Sequence, residues 1–216
     1  MKTDSELQKE IVAELEWEPS VNAAGIGVEV KDGIVTLAGH VDSYAEKVAA
    51  EKAAARVNGV KAIAVEMDVR LVISSQRYDA DIAKSAINAL EWSTLVPDGS
   101  VNVMVEGGWI TLTGVVTWAF QRSAANIAVR HLVGVKGITD GIKIKPKVSS
   151  SDLKADIQAA LNRRARNEGS NITISVSDHD VTLSGTAESW AERELVSETA
   201  WRAPGVWNVI DNVQIE

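Results

Sequence analysis

Apolar residues recur along this chain with two alternating periods. Leu7, Ile11 and Leu15 are spaced by four, as are Ile82, Ala86 and Leu90, and Leu153, Ile157 and Leu161. That spacing puts each trio on one face of an amphipathic helix. Stretches of period two follow, Val28 and Val30, then Val35 and Leu37, as expected of half-buried strands. Between them sits Asp32-Gly33, Gly107-Gly108 or Asp178-His179, at a place where glycine and Asp favour a tight hairpin. A second helix carries apolar residues at 50, 53, 54 and 57, answered by Ala125, Ala128, Val129 and Leu132, then by Val196, Thr199, Ala200 and Ala203. It stops at a Gly-Val pair: Gly59-Val60, Gly134-Val135 and Gly205-Val206; glycine is a common helix stop. Ile63, Val65, Met67 and Val69 then alternate as a last strand, matched by Ile138, Ile142 and Ile144 and by Val209, Val213 and Ile215.

The order α-β-β-α-β is thus written three times, at offsets of 75 and 71 residues, with no insertion inside a copy. A repeat of this kind decides architecture before any single motif does. It predicts an α+β protein of three tandem units, 1–72, 76–147 and 148–216, each a three-stranded mixed sheet with two helices on one face. Gly39, Gly114 and Gly185 end the second strand of each unit, and Gly59, Gly134 and Gly205 end the second helix; all six are structural expectations. Thr3 to Glu6 fits a capping box on the first helix, and Asp79 is a candidate cap on its counterpart. Units this small bury only about 60% of the surface their unfolded chains expose, so the copies are expected to pack on one another.

Charge and chemistry narrow the function classes. Net charge is −8, which argues against general nucleic-acid binding. The charge is uneven: residues 1–75 and 148–216 each stand at −5, whereas 76–147 stands at +2. Without cysteine, disulfides and thiolate chemistry are excluded. A catalytic residue shared by all units would appear three times, and none does. His40, His131 and His179 do not recur, and Asp178-His179-Asp180 reads as a hairpin turn rather than a metal site. No catalytic residue, metal or cofactor is therefore expected.

The residues Gly39, Val41, Ser43, Glu46, Ala50, Ala54, Val57, Gly59, Val60 and Val69 resemble the BON domain, a bacterial module named for osmotically inducible and nodulation proteins. Gly114, Val116, Ala125, Val129, Leu132, Gly134 and Val135 repeat the pattern, as do Gly185, Ala200, Gly205 and Val206. The third copy departs most, with Ala187 and Ala203 replacing larger residues and His179 replacing the turn glycine. The resemblance implies a non-enzymatic binding module linked to envelope stress, anionic phospholipid association and transport-associated roles.

Function is sought at the positions the copies do not share. Seven tryptophans stand against one phenylalanine and two tyrosines; tryptophan suits interfaces and membrane–water boundaries. Trp17 and Trp92 share one repeat position, so a place in or at the edge of the core is expected for them. Met104, Trp109, Trp118, Phe120, Ile127, Trp190 and Trp201 are candidates for contacts between repeats or with a partner. Lys136, Lys143, Lys145 and Lys147, with Arg163, Arg164 and Arg166, are candidates for anionic lipid headgroups; on an edge strand lysine also guards against aggregation. The expected partners are an anionic phospholipid or membrane surface and further copies of the chain. Two other readings stand beside this: a transport-associated homo-oligomer with a passage or small-molecule site between repeats, and a chaperone-like stress protein that holds clients. The opening residues lack an apolar signal-peptide core. A cytoplasmic chain peripheral to a membrane is therefore expected, or an envelope protein if a leader has been removed.

Overall fold

A computed structural model describes residues 2–145, 157, 159–160, 171–177, 179–203 and 206–215. The first unit comprises α1 (Asp4–Trp17), β1 (Ile26–Lys31), β2 (Ile34–Val41), α2 (Tyr44–Arg56) and β3 (Ala62–Val69). The second comprises α3 (Asp79–Glu91), β4 (Val101–Glu106), β5 (Trp109–Val116), α4 (Ala119–Arg130) and β6 (Gly137–Ile144). In the third, β7 (Asn171–Ser177), β8 (Asp180–Ala187), α5 (Trp190–Trp201) and β9 (Asn208–Ile215) are described. Each unit has its own three-stranded sheet, whose middle strand pairs antiparallel with the strand before it and parallel with the one after. The mixed sheet of the sequence reading is therefore present three times.

The hairpins show why the turn residues are what they are. Asp32 and Gly33 have φ of 54° and 79°, and Gly107 and Gly108 have 59° and 84°. Two consecutive left-handed residues make the turn whose twist matches the flanking strands. The turn is also held from outside. The Asp4 carboxylate accepts from the backbone N–H of Asp32 and Gly33 at 2.8 and 3.1 Å. Asp79 does the same for Gly107 and Gly108 at 2.7 and 2.8 Å. Asp79 therefore ties the second unit's helix to its hairpin rather than capping it, and the N-cap is Tyr78, with no side-chain cap bond. The capping box on α1 is as expected, with Thr3 and Glu6 bonded reciprocally.

Gly39, Gly114 and Gly185 all sit at positive φ. A β-carbon on Gly39 would press into the Gly25 carbonyl, and one on Gly114 into that of Ser100. Gly59 and Gly134 also take positive φ, just beyond their helices; Gly205 lies outside the described residues.

The apolar periodicities become three separate cores. Leu7, Ile11 and Leu15 meet Val35, Leu37, Ala50 and Ala54 in the first. Ile82, Ala86, Leu90, Ile110, Leu112, Ala125 and Val129 form the second. In the third, Ile157, at the repeat position of Ile11 and Ala86, is buried with Val181, Leu183, Val196 and Ala200. Among the described residues no helix is long and apolar enough to cross a membrane.

Candidate functional site

All three pairs of units touch, and they do so mainly through their second helices. Tyr44, the first residue of α2, packs against the core of the second unit. Trp190, at the same repeat position in the third unit, packs against the core of the first, and α2 and α5 are in contact. Trp201, near the end of α5, packs against the cores of both the second and third units. Each contact joins different surfaces of successive units, the head-to-tail pattern that closes into a ring.

Physical chemistry differs around that ring. Burial raises the Tyr44 hydroxyl above its ordinary value, opposed by Arg130 and by a backbone hydrogen bond from Ile138, both in the second unit. Burial likewise raises the Glu51 carboxyl, against the attraction of Lys47 and Arg130. Arg130 therefore stands between the first two units. Its Nε is buried and has no hydrogen-bond partner among the described residues, and the same is true of the Trp190 Nε1. Two uncompensated donors at unit boundaries are unusual, since most buried polar atoms are paired.

Between the second and third units the helices leave a cleft of about 720 Å³. Its apolar lining includes Leu95, Phe120, Ile127, Ile144 and Trp201. Ala119 also lines it, at the position that Tyr44 and Trp190 occupy in the other units. Arg122 approaches the Trp201 ring to 6.0 Å and is paired with Asp140 at 2.6 Å. Asp140 also accepts from Asn126 and from the Ile142 backbone. Arg193 and Asp211 repeat that helix-to-strand pair at 2.9 Å in the third unit. The first unit has Lys47 and Val65 at those positions, and Lys47 bonds the Met67 carbonyl instead.

The residues singled out in the sequence fall in several places. Trp190 and Trp201 lie at unit boundaries. Phe120 and Ile127 are half-exposed, at 50% and 51%, on the wall of the cleft. Trp118 stacks loosely on Phe120, ring centroids 6.5 Å apart. It occupies the N-cap position where Ser43 and Ser189 each accept a helix N–H, a bond its indole does not make. Met104 and Trp109 are on the open face of the second sheet. The Trp109 indole lies across Gly137 on the neighbouring strand and donates to Thr139 Oγ1 at 2.8 Å. Part of its surface is thus used within its own sheet.

Trp17 and Trp92 overturn the expectation of a core role. They are 82% and 87% exposed, because each comes last in, or just after, its helix, beyond the buried 7-11-15 or 82-86-90 stripe. The lysines do not form one cluster. Lys136 lies over the Gly107-Gly108 hairpin, whereas Lys143 and Lys145 are exposed near the far end of β6. Seven residue steps along the strand separate Lys136 from Lys143, roughly 23 Å at about 3.3 Å per residue. Lys147, Arg163, Arg164 and Arg166 lie outside the described residues.

Sequence reasoning missed Tyr44, Ala119 and Arg130. The usable signal was size exchange across the copies. Tyr44, Ala119 and Trp190 share one position, and Ala55, Arg130 and Trp201 share another, eleven residues on. It also missed the third hairpin's own fastening, where the His179 and Trp207 rings stack at 4.5 Å. Among the described residues no cluster of His, Asp and Glu is placed to hold a metal ion.

Comparison with known proteins matches the BON domain to residues 3–70, 78–146 and 149–216. The chain is 30% identical over 146 residues to the osmotically-inducible protein Y of Escherichia coli (strain K12), covering 66% of this chain and 73% of that one. Among solved structures, it is similar to CdsD, a structural protein of the type III secretion system of Chlamydia trachomatis, at 15% identity and a TM-score of 0.26, covering 98% of this chain and 92% of that one. The PrgH periplasmic domain matches at 11% identity and a TM-score of 0.22, covering 88% and 95%.

Proposed function

Because the chain belongs to the BON-domain family, in three tandem copies related to the osmotically-inducible protein Y, we propose that it is a non-catalytic binding protein of the osmotic stress response. It works at the bacterial envelope by docking on anionic phospholipid. The observation that carries this reading is the open sheet face of the second unit. There Met104 and Val115 are exposed; Lys143 is exposed beside Val115 on the edge strand β6, and Lys145 is exposed just past its end. Strand alternation sends Ile142 and Ile144 into the core and both lysines outward.

Each lysine near an anionic surface contributes about 1 kcal/mol. A face with two such lysines binds weakly and loses its grip as salt rises. The surrounding acidic units confine docking to this face. The test is co-sedimentation with phosphatidylglycerol vesicles, against phosphatidylcholine vesicles as control. The protein should pellet with the anionic vesicles at low salt, and the Lys143→Glu/Lys145→Glu variant should stay in the supernatant. Equal pelleting of both proteins, or none at low salt, refutes the reading.

A further inference from the structure

The cleft between the second and third units has the composition of a ligand site, and nothing in the proposed envelope docking uses it. Its volume of about 720 Å³ falls within the roughly 300–1,000 Å³ of small-molecule sites. Its walls are mainly apolar, from Leu95, Phe120, Ile127 and Trp201. Three guanidinium groups reach it, and two are neutralised: Arg122 by Asp140 at 2.6 Å and Arg202 by Glu198 at 3.0 Å. Arg130 also lines the cleft. Among the described residues it makes no ion pair within bonding distance, and its Nε is left without an acceptor. Tyr44 and Glu51 act on it electrostatically from the first unit's side.

The repeat accounts for the room at this place in the boundary. At the position where Tyr44 and Trp190 bring aromatic rings against the neighbouring unit, the second unit has Ala119. The missing ring leaves room beside Trp201. The fold does not require that room, because the other two units fill it.

We infer that this cleft binds a small amphipathic carboxylate: an apolar body against Phe120, Ile127 and Trp201, and a single carboxylate directed to Arg130. Of the three guanidinium groups, Arg130 alone has no carboxylate within bonding distance among the described residues, which leaves a place for one. A planar guanidinium matches a carboxylate through paired N–H donors, and half-exposed apolar walls gain by covering the ligand's body. The site does not rest on the vesicle-docking reading, since Lys143 and Lys145 do not line it.

The experiment is calorimetric titration of the full chain with octanoate, and with 1-octanol as the uncharged probe. Saturable one-to-one binding of octanoate is expected. It should weaken at least about tenfold for octanol and for Arg130→Met, the usual scale of a charge-assisted contact. Ala119→Trp, which adds the residue native to this position in the third unit, should reduce it further. Arg130 also touches the first unit, so Ile127→Glu provides a second variant at an exposed position; it should abolish binding with the melting temperature unchanged. Lys143→Glu/Lys145→Glu should bind octanoate as the parent does, whatever becomes of its vesicle binding. The proposal is overturned by absence of saturable octanoate binding, by equal affinity for octanol, or by parental affinity in Ile127→Glu.

Discussion

At the boundary between the first and second units, Tyr44 brings a half-buried aromatic ring against the neighbouring core and sets its hydroxyl beside Arg130 and Ile138. At the boundary between the second and third, the same helical position is Ala119, and the neighbour's Trp201 reaches back instead, leaving a cleft. The two boundaries use the same repeat positions and differ in which partner supplies the bulk. One carries a polar anchor at this position; the other is open, apolar and bordered by the same Arg130. The repeat therefore conserves the joint while leaving its chemistry free to vary, and it varies around the second unit, the only one with a positive balance.

Substitutions at four positions would break or sharpen this contrast. Trp190→Ala should do most damage. It removes the ring that the third unit places on the first unit's core, at a cost of about 3 kcal/mol by the scale of large-to-small changes. Chemical denaturation should show that loss, whereas Trp190→Phe should be nearly neutral because it also deletes an unpaired donor. Tyr44→Ala should cost less, about 2 kcal/mol, since its ring is smaller than the Trp190 indole and equally half-buried. The same assay measures it, and added loss of cooperativity would show that the Tyr44 contact couples the units.

Trp118→Ser should act in the opposite sense. It restores the N-cap that Ser43 and Ser189 supply elsewhere and should raise stability by about 0.5–1 kcal/mol. A fall in melting temperature would show that the Trp118–Phe120 pair carries packing energy. The smallest effect belongs to Glu51→Gln. Burial raises the Glu51 carboxyl above its ordinary 4.5, so the folded state favours the neutral form. The stability tied to that proton is fully present below pH 4.5 and is lost as pH rises through the folded value. Gln should thus stabilise slightly at pH 7 and make no difference at pH 4, as stability curves at the two pH values will show.

Much of the unit fold was legible because it depends on periodicity. Leu7-Ile11-Leu15 and Val35-Leu37 could bury only one way, and they did. The turn glycines announced left-handed backbone. What the sequence hid were contacts decided in three dimensions. Trp17 and Trp92 fall one step beyond the buried helical stripe, so their recurrence signalled a shared exposed position rather than a core. Lys136 and Lys143 are close in sequence yet far apart in space, because a strand is extended. Asp79 looked like a cap and proved to be a turn clamp, because its hydrogen-bond partners lie 28 and 29 residues away. Arg130 carried no signal in its own unit; it matters because Tyr44 of another unit meets it.

The three units close on one another through their second helices, and one distance across α2 and α5 tests this directly. The chain has no cysteine, so Lys52→Cys/Glu194→Cys can carry one spin label on α2 and one on α5, both at exposed positions. Pulsed dipolar measurement of the label-to-label distance should give one short, narrow distribution, broadened by Trp190→Ala. A long or broad distribution in the parent chain, unchanged by that substitution, would show that the first and third units do not dock.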